Sequence, residues 1–247
     1  MTNAIRVGVV GAEGRMGSET CRAIDADDEL KLVAKVGRAD SLEVLVESGA
    51  EVAVDFTTPE AVRDNVSFVL EHGIHAVVGA TGLSKKDIED LSQRARGGTA
   101  QLFVAPNFAM GAVLMMRFAA EAAPLFDTAE IVERHHEKKV DAPSGTSLRT
   151  AELMNEARGA PWLAAATGNE TLAGSRGGDV SGVRVHSIRS AGSVAHQEVI
   201  LGSAGETLSI RHDSLDRASF MPGVLLAIKK VSQLDGPTVG LEHLLDL

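Results

Sequence analysis

Cysteine is nearly absent from this 247-residue chain, with Cys21 standing alone, which excludes an internal disulfide framework and suits a reducing cytoplasm. It falls in the first helical pattern, where packing is its expected role. No apolar run approaches the roughly 18 residues that a membrane span needs, and Met1 to Arg6 lacks the hydrophobic region of a signal peptide. The expectation is a cytoplasmic protein. Positive charge is short as well: 24 Lys and Arg stand against 34 Asp and Glu, a net charge of −10, with a pI near 5.3. That balance argues against a general nucleic-acid or anionic-membrane surface, so an anionic ligand needs a local basic pocket. Repeats of fixed period and low-complexity tracts are missing. The stretch Gly174 to Gly182, rich in glycine and charge, reads as a loop.

What is present fits a globular chain with one large or two modest domains, since 44% of the residues are hydrophobic and the mean hydropathy is +0.05. The β-branched run Ile5 to Val10 leads at once into Gly11-Ala12-Glu13-Gly14-Arg15-Met16-Gly17 and a helical pattern to about Ile24. Strand, glycine turn and helix are the setting of a dinucleotide fingerprint. In that reading Gly11 makes the turn, Gly14 admits a pyrophosphate and Gly17 lets helix and strand pack closely. Glycines used only for turning and packing are the plain alternative. Glu13 is expected to point away from the pyrophosphate. The next strand, Lys31 to Val36, ends in Gly37-Arg38. An NAD site places an acid there and an NADP site a cation, so Arg38 is a candidate for the 2′-phosphate.

Alternating strand and helix signals continue through a strand at Glu51 to Phe56 and a helix from Pro59 to Glu71, begun by Thr57-Thr58-Pro59-Glu60. A strand at His75 to Val78 runs into Gly79-Ala80-Thr81-Gly82, at what is predicted to be the carboxyl edge of a sheet. A helix from Ser84 to Arg96 and a strand from Gln101 to Val104 follow. Ala105-Pro106-Asn107-Phe108 then precedes a Met- and Ala-rich core helix, Met110 to Ala123. The predicted fold class is α/β, a doubly wound parallel dinucleotide-binding domain plus a smaller α+β domain with a mixed sheet.

Beyond residue 107 the pattern changes. Glu130 to Glu133 opens as a strand, and Arg134-His135-His136-Glu137-Lys138-Lys139-Val140-Asp141-Ala142-Pro143-Ser144-Gly145-Thr146 then leads to a helix at Ser147 to Ala157. His135 and Lys139 share a face in either regular conformation, about 6 Å apart at Cβ in a helix and about 13 Å apart when extended. A curved loop between these limits can grip a small molecule. Histidine exchanges protons near neutrality, lysine stays cationic, and a helix start with glycine holds a carboxylate or phosphate. A solvated loop ending in a capping serine is the plain alternative, but it has no need of paired histidines and lysines. Zinc on His135, His136 and Glu137 is disfavoured by the awkwardness of adjacent ligands and by the lack of cysteine. Strand-like runs at Gly182 to Ile188, Ala195 to Leu201 and Glu206 to Arg211 point to a mixed or antiparallel sheet. One helix, Ser147 to Ala157, is expected to cover one face. His186, His196 and His212 read as structural or exposed. An apolar helix, Val224 to Val231, and a short tail from Gly240 complete the chain.

The run from Glu133 to Thr146, with the glycine turn and the loops at Gly79 and Ala105, resembles the dihydrodipicolinate reductase family over essentially the whole chain. The family's pattern is Glu, a variable residue, His-His, two variable residues, Lys, a hydrophobic residue and Asp-Ala-Pro-Ser-Gly-Thr. The resemblance implies reduction of (2S,4S)-4-hydroxy-2,3,4,5-tetrahydrodipicolinate to tetrahydrodipicolinate with NADPH or NADH, in lysine and diaminopimelate biosynthesis. It implies His135 and Lys139 as catalytic, and His136, Lys139, Ser144, Gly145 and Thr146 as substrate-binding. Gly11, Ala12, Glu13, Gly14, Arg15, Met16, Arg38, Gly79, Ala80, Thr81, Ala105, Pro106, Asn107 and Phe108 are the implied cofactor residues, with no metal. It further implies a discontinuous nucleotide domain (1–106 and 216–247), a substrate domain (107–215) and a homotetramer built through the second sheet. Two positions depart from the family pattern. Gly37 stands where an acid is common, and Ala80 replaces a threonine. Rival readings are another two-domain dehydrogenase, of a semialdehyde (which Cys21 is wrongly placed to serve) or of an amino acid, and a nucleotide-sensing binder, which leaves the cluster from His135 to Thr146 unexplained.

Overall fold

The computed structural model describes residues 4–96, 100–163 and 170–245. In chain order the first elements are β1 (Ile5–Val10), α1 (Arg15–Asp25), β2 (Leu30–Val36), α2 (Glu43–Glu47), β3 (Val52–Asp55), α3 (Val62–Glu71), β4 (His75–Val78), α4 (Lys85–Arg96) and β5 (Leu102–Val104). They are followed by α5 (Met110–Ala122), β6 (Thr128–His135), α6 (Gly145–Arg158), β7 (Gly178–Val180), β8 (Val183–Arg189), β9 (Ala195–Ser203), β10 (Glu206–Ser214), α7 (Met221–Lys230) and β11 (Thr238–Val239). Two units result: Met1–Met110 with Phe220–Leu247, and Gly111–Ser219.

The first unit is built on a six-stranded sheet in the order β11-β5-β4-β3-β1-β2, with every pairing parallel. Parallel strands are covered on both faces and therefore read as continuous apolar runs. All four residues of β3 are buried, as are all three of β5. Leu45, Val62, Val66, Val69 and Leu91 of α2, α3 and α4 close one core cluster against Val10, Ala53, Ala76 and Leu102. Each such valine or leucine, fully buried, contributes about 1.5–3 kcal/mol. Because β1 lies between β2 and β3, the winding reverses there, and the crevice at the carboxyl ends of β1 and β3 is where such sheets bind ligands.

The second unit has a five-stranded mixed sheet, β10-β9-β6-β8-β7, in which only β6 and β8 run parallel. Burial alternates along it. Ala129, Ile131 and Glu133 are buried while Glu130, Val132 and Arg134 are half-buried, the period-two signature of a strand with one covered face. Met115 and Ala119 of α5, with Ala151 and Met154 of α6, pack on Ile131, Val183, Val185, Val199 and Leu201.

Several sequence expectations are corrected. Two helices, α5 and α6, cover the second sheet where one was expected. Helix α3 begins at Val62 and not at Pro59. Its cap position is held by Ala61 with no side-chain cap hydrogen bond, in place of the expected hydroxyl; Thr57 donates instead to the Asp55 carboxylate at 2.6 Å. Helix α6 begins at Gly145, two residues before the expected Ser147, with Ser144 as its cap, and the last apolar helix runs from Met221 rather than Val224. Within the expected loop at Gly174 to Gly182 lies β7, joined to β8 by a two-residue turn with positive φ at Ser181 (53°) and Gly182 (91°). Positive φ at both central residues is what a tight hairpin needs. Just ahead of the expected tail lies an unforeseen strand, β11, whose Thr238 and Val239 pair with Phe103 and Val104.

Candidate active site

The glycine turn after β1 works through missing side chains. Gly11 has φ +79°, and a Cβ there would lie 2.9 Å from the Phe56 carbonyl oxygen, while a Cβ on Gly17 would collide with the Gly11 carbonyl. Gly14 occupies the cap position of α1 with no side-chain acceptor, so the first-turn N–H groups face outward as an anion cradle. A cavity of about 270 Å³ opens beside it, lined by Arg15, Met16, Phe56, Thr57, Gly79, Ala80 and Thr81. Five of the predicted cofactor residues meet there.

The loops around this cavity are held by Asp55, a residue that the sequence reading passed over. Its buried carboxylate accepts from the Thr57 amide (2.8 Å), the Thr57 hydroxyl (2.6 Å) and the Asn65 side chain (2.9 Å). Its backbone carbonyl accepts from the amides of Gly79 (2.9 Å) and Ala80 (3.2 Å). Burial raises the Asp55 pKa, with these hydrogen bonds opposing the rise. An acid closing an otherwise apolar strand was the available signal.

At the end of β2, Arg38 is exposed. A Cβ on Gly37 would lie 2.9 Å from the carboxyl carbon of Glu13 and 3.1 Å from both its oxygens. The fingerprint loop thus sends a carboxylate to the place where the second strand carries none. In the loop after β5, Ala105 and Phe108 are buried, Phe108 meeting Phe56 edge-on at 5.8 Å. Pro106 and Asn107 form the more open part of that loop.

In the second unit, His135 is the last residue of β6, and a turn closed by the Lys139 amide on the His136 carbonyl (3.1 Å) follows. His135 Nδ1 lies 2.6 Å from Oε2 of Glu133, which is fully buried on the same face of the strand. Arg189, at the end of β8, donates to both oxygens of Glu133 at 2.9 Å, and the Ser144 amide donates to Oε1 at 3.3 Å. Burial alone would raise the Glu133 carboxyl. Hydrogen bonds from His135, Arg189 and Ser187 outweigh it and hold the pKa at about 2. Lys139 donates to both oxygens of Asp141 at 2.8 Å, and this lysine is the main cause of a lowered Asp141 pKa.

The start of α6 is fixed by a buried chain of hydroxyls. Ser144 Oγ accepts from the Ser147 amide (3.2 Å) and meets Ser147 Oγ at 2.8 Å. Ser147 donates to Gln197 Oε1 and Gln197 Nε2 donates to Thr150 Oγ1, both at 2.7 Å. Thr150 donates to the Thr146 carbonyl at 2.7 Å. Buried polar groups so satisfied are rigid, and the helix start they support leaves Gly145 exposed with open space where a Cβ would stand. The predicted residues His135, Lys139 and Ser144 to Thr146 therefore belong to one strand-end, turn and helix start, joined through Glu133. His136 is half-buried in the same turn. Glu133, Arg189 and Gln197 were not foreseen as site residues. Glu133 had a signal, being two residues before His135 in a strand and so on its face. Among the described residues no group of three or more His, Cys, Asp or Glu could hold a metal ion.

A parallel-sheet unit with a glycine anion cradle, and a mixed-sheet unit with an acid–base cluster beside a helix start, together define a two-domain nicotinamide-dependent oxidoreductase. Family models for the dihydrodipicolinate reductase N-terminus and C-terminus match residues 5–108 and 111–245. The chain belongs to the dihydrodipicolinate reductase family, whose enzymes use NADH or NADPH. The 4-hydroxy-tetrahydrodipicolinate reductase of Mycolicibacterium smegmatis is 54% identical over 98% of this chain and 100% of its own length. The corresponding protein of Corynebacterium diphtheriae is 53% identical over 99% and 100%. Among solved structures, a dipicolinate-bound dihydrodipicolinate reductase from Paenisporosarcina sp. TG-14 is 34% identical, with a TM-score of 0.88, over 98% of this chain and 100% of that one.

Proposed function

We propose that the chain reduces (2S,4S)-4-hydroxy-2,3,4,5-tetrahydrodipicolinate to tetrahydrodipicolinate, a step of lysine and diaminopimelate biosynthesis. The observation that carries the proposal is the joining of His135, Lys139 and the start of α6 into one hydrogen-bonded cluster within the family's motif. When bound, reduced nicotinamide supplies a hydride. His135 gives the proton that the nitrogen-bearing framework must collect, the 4-hydroxyl of the substrate leaves as water, and His136 contacts the substrate. Lys139 pairs with a substrate carboxylate, which replaces Asp141, and serves as the second proton donor. Ser144, Gly145 and Thr146 hold a carboxylate at the helix start. A dianion on a protein of net charge −10 needs these local cations and dipoles.

For the cofactor, Gly11 to Met16 receive the pyrophosphate through backbone groups, and Gly79 to Thr81 and Ala105 to Phe108 serve the nicotinamide half. Arg38 meets a 2′-phosphate. The Glu13 carboxylate beside Gly37 accepts from ribose hydroxyls when that phosphate is lacking, which favours use of both nucleotides. The open face of the second sheet, where Val132, Ile188 and Ile200 lie among charged residues, is the surface for a homotetramer. The setting is the cytoplasm, with Cys21 reduced. Among the described residues no helix is long and apolar enough to cross a membrane.

The test is loss of nicotinamide absorbance, with NADH and with NADPH, on adding the product of the preceding synthase. No oxidation with either nucleotide would sink the assignment. Sedimentation showing only monomer at micromolar concentration would remove the tetramer.

A further inference from the structure

Glu133 is an odd residue for a strand interior. It is a fully buried carboxylate at the site end of β6, and it collects every strong donor in its neighbourhood: the His135 ring, both terminal nitrogens of Arg189 and the Ser144 amide. Its register partner on β9 is Gln197, which is engaged with Ser147 and Thr150. Its partner on β8 is Ser187, a further hydrogen-bond donor to it. The charged groups facing Glu133 are thus His135 and Arg189, and Arg189 also donates to the Asp141 carbonyl at 2.5 Å.

An ionised carboxylate can only accept. Within 2.6 Å of Nδ1 it requires a proton on that nitrogen, in the neutral ring as much as in the imidazolium. We infer that Glu133 is the positioning residue for His135: it keeps the proton on Nδ1 and turns Nε2 into the only ring atom that exchanges a proton with the substrate. The inference rests on the reading of His135 as proton donor. In the step itself, the Nε2–H bond breaks and its proton goes to the substrate. The ring is left neutral with Nδ1–H still bonded to Glu133, and solvent restores the Nε2 proton. Arg189 makes this workable. A lone buried carboxylate would compete for the imidazolium proton, whereas one already holding a bidentate guanidinium and a backbone amide is a strong acceptor but a weak base. The same carboxylate ties the donor to the cap of α6, so donor and carboxylate cradle move as one body.

The experiment combines ¹⁵N NMR of the His135 ring with steady-state kinetics in the wild-type protein, Glu133→Gln and Glu133→Asp. The His135 signals are assigned by their loss in His135→Gln, since the chain has 8 histidines. In the wild type the neutral ring is expected as the Nδ1–H tautomer. Gln presents an amide N–H₂ or a carbonyl to the ring, so Glu133→Gln is expected to mix or reverse the tautomer. With it, kcat falls roughly 10²–10⁴-fold, the scale of a lost general acid, while the substrate KM stays nearly unchanged. Asp, still an anion, is expected to keep the tautomer and recover part of kcat. A wild-type Nε2–H tautomer overturns the inference without any variant having to fold. So does a Glu133→Gln protein with wild-type tautomer and kcat when His135→Gln is inactive. If His135→Gln itself keeps full kcat, the proton-donor reading fails and this inference goes with it.

Discussion

At the end of β1 the chain clears side chains away, and at the end of β6 it crowds them together. In the first unit the candidate contacts are the first-turn backbone N–H groups of α1, which Gly14 at the cap leaves without a side-chain acceptor, while Gly11 and Gly17 serve the turn and the close packing behind it. In the second, Glu133, His135, Arg189, Lys139 and Asp141 form two linked ion-pair groups around a capped helix start. The difference matches the roles proposed for the two sites. A pyrophosphate is bound unchanged and needs only dipoles at close range, whereas a proton donor needs charges that fix its tautomer and orientation. Failure in the first unit is therefore expected to be steric, and failure in the second electrostatic.

The sharpest way to break that contrast is His135→Gln, which keeps a polar side chain but cannot titrate. A kcat loss of about 10²–10⁴-fold is expected, with a small change in KM and a flattened pH–rate profile near neutrality. His136→Gln is expected mainly to raise KM. Lys139→Ala is expected to cut turnover severely while the nucleotide dissociation constant, followed by cofactor fluorescence, stays as in the wild type. If His135→Gln moved KM alone, the assignment of donor and binder would be wrong.

Acid provides the next test. The Glu133 carboxyl lies at about 2 in the folded protein against an ordinary 4.5. The ionised form therefore contributes stability above pH 4.5 that is lost as pH falls from there toward 2, on the order of 3 kcal/mol in all. Urea melts of wild type and Glu133→Gln across that window check it. Equal pH slopes in the two proteins would show that the buried carboxylate is not the linked group.

Gly17→Ala is the steric counterpart. The added methyl meets the Gly11 carbonyl, and overpacking of this kind costs about 1–3 kcal/mol. Nucleotide affinity is expected to drop about 10-fold or more, independent of pH. Unchanged affinity would mean that helix and turn separate freely, against the tight packing described here. The smallest effects are expected at the end of β2. Arg38→Ala is expected to raise KM for NADPH by a few-fold to about tenfold, the size of one exposed charge-assisted hydrogen bond, and to spare NADH. Glu13→Gln is expected to do the reverse. Equal changes for both nucleotides in either variant would show that neither group reads the 2′ position.

Much of this was legible without coordinates because it is written in local chemistry. Glycine spacing after a β-branched run gave the anion turn, and continuous as against alternating apolar residues separated the parallel sheet from the mixed one. A serine before glycine and threonine marked the start of α6, although the helix was placed two residues late. Harder to read were features whose partners are distant or whose residues had a second use. The threonines before Pro59 suggest a helix cap, yet Thr57 serves the Asp55 carboxylate and Ala61 holds the cap position, and Gly182, one of the glycines that suggest a loop, serves the turn between β7 and β8. The strand β11 is two residues long, too short for any periodicity, and exists only because β5 offers an edge.

Sequence by itself determined the backbone periods, the glycine turn, and the order of titratable groups from Glu133 to Thr146, because each of these depends on residues within a few positions of one another. Tertiary structure alone decided that Arg189, 56 positions from Glu133, would neutralise it, that Gln197 would lock the start of α6, and that Glu13 would lie beside Gly37. The physical reason is burial. A carboxylate and a guanidinium far apart in the chain interact weakly in water, and they become a rigid, bidentate pair only where folding has removed the solvent between them.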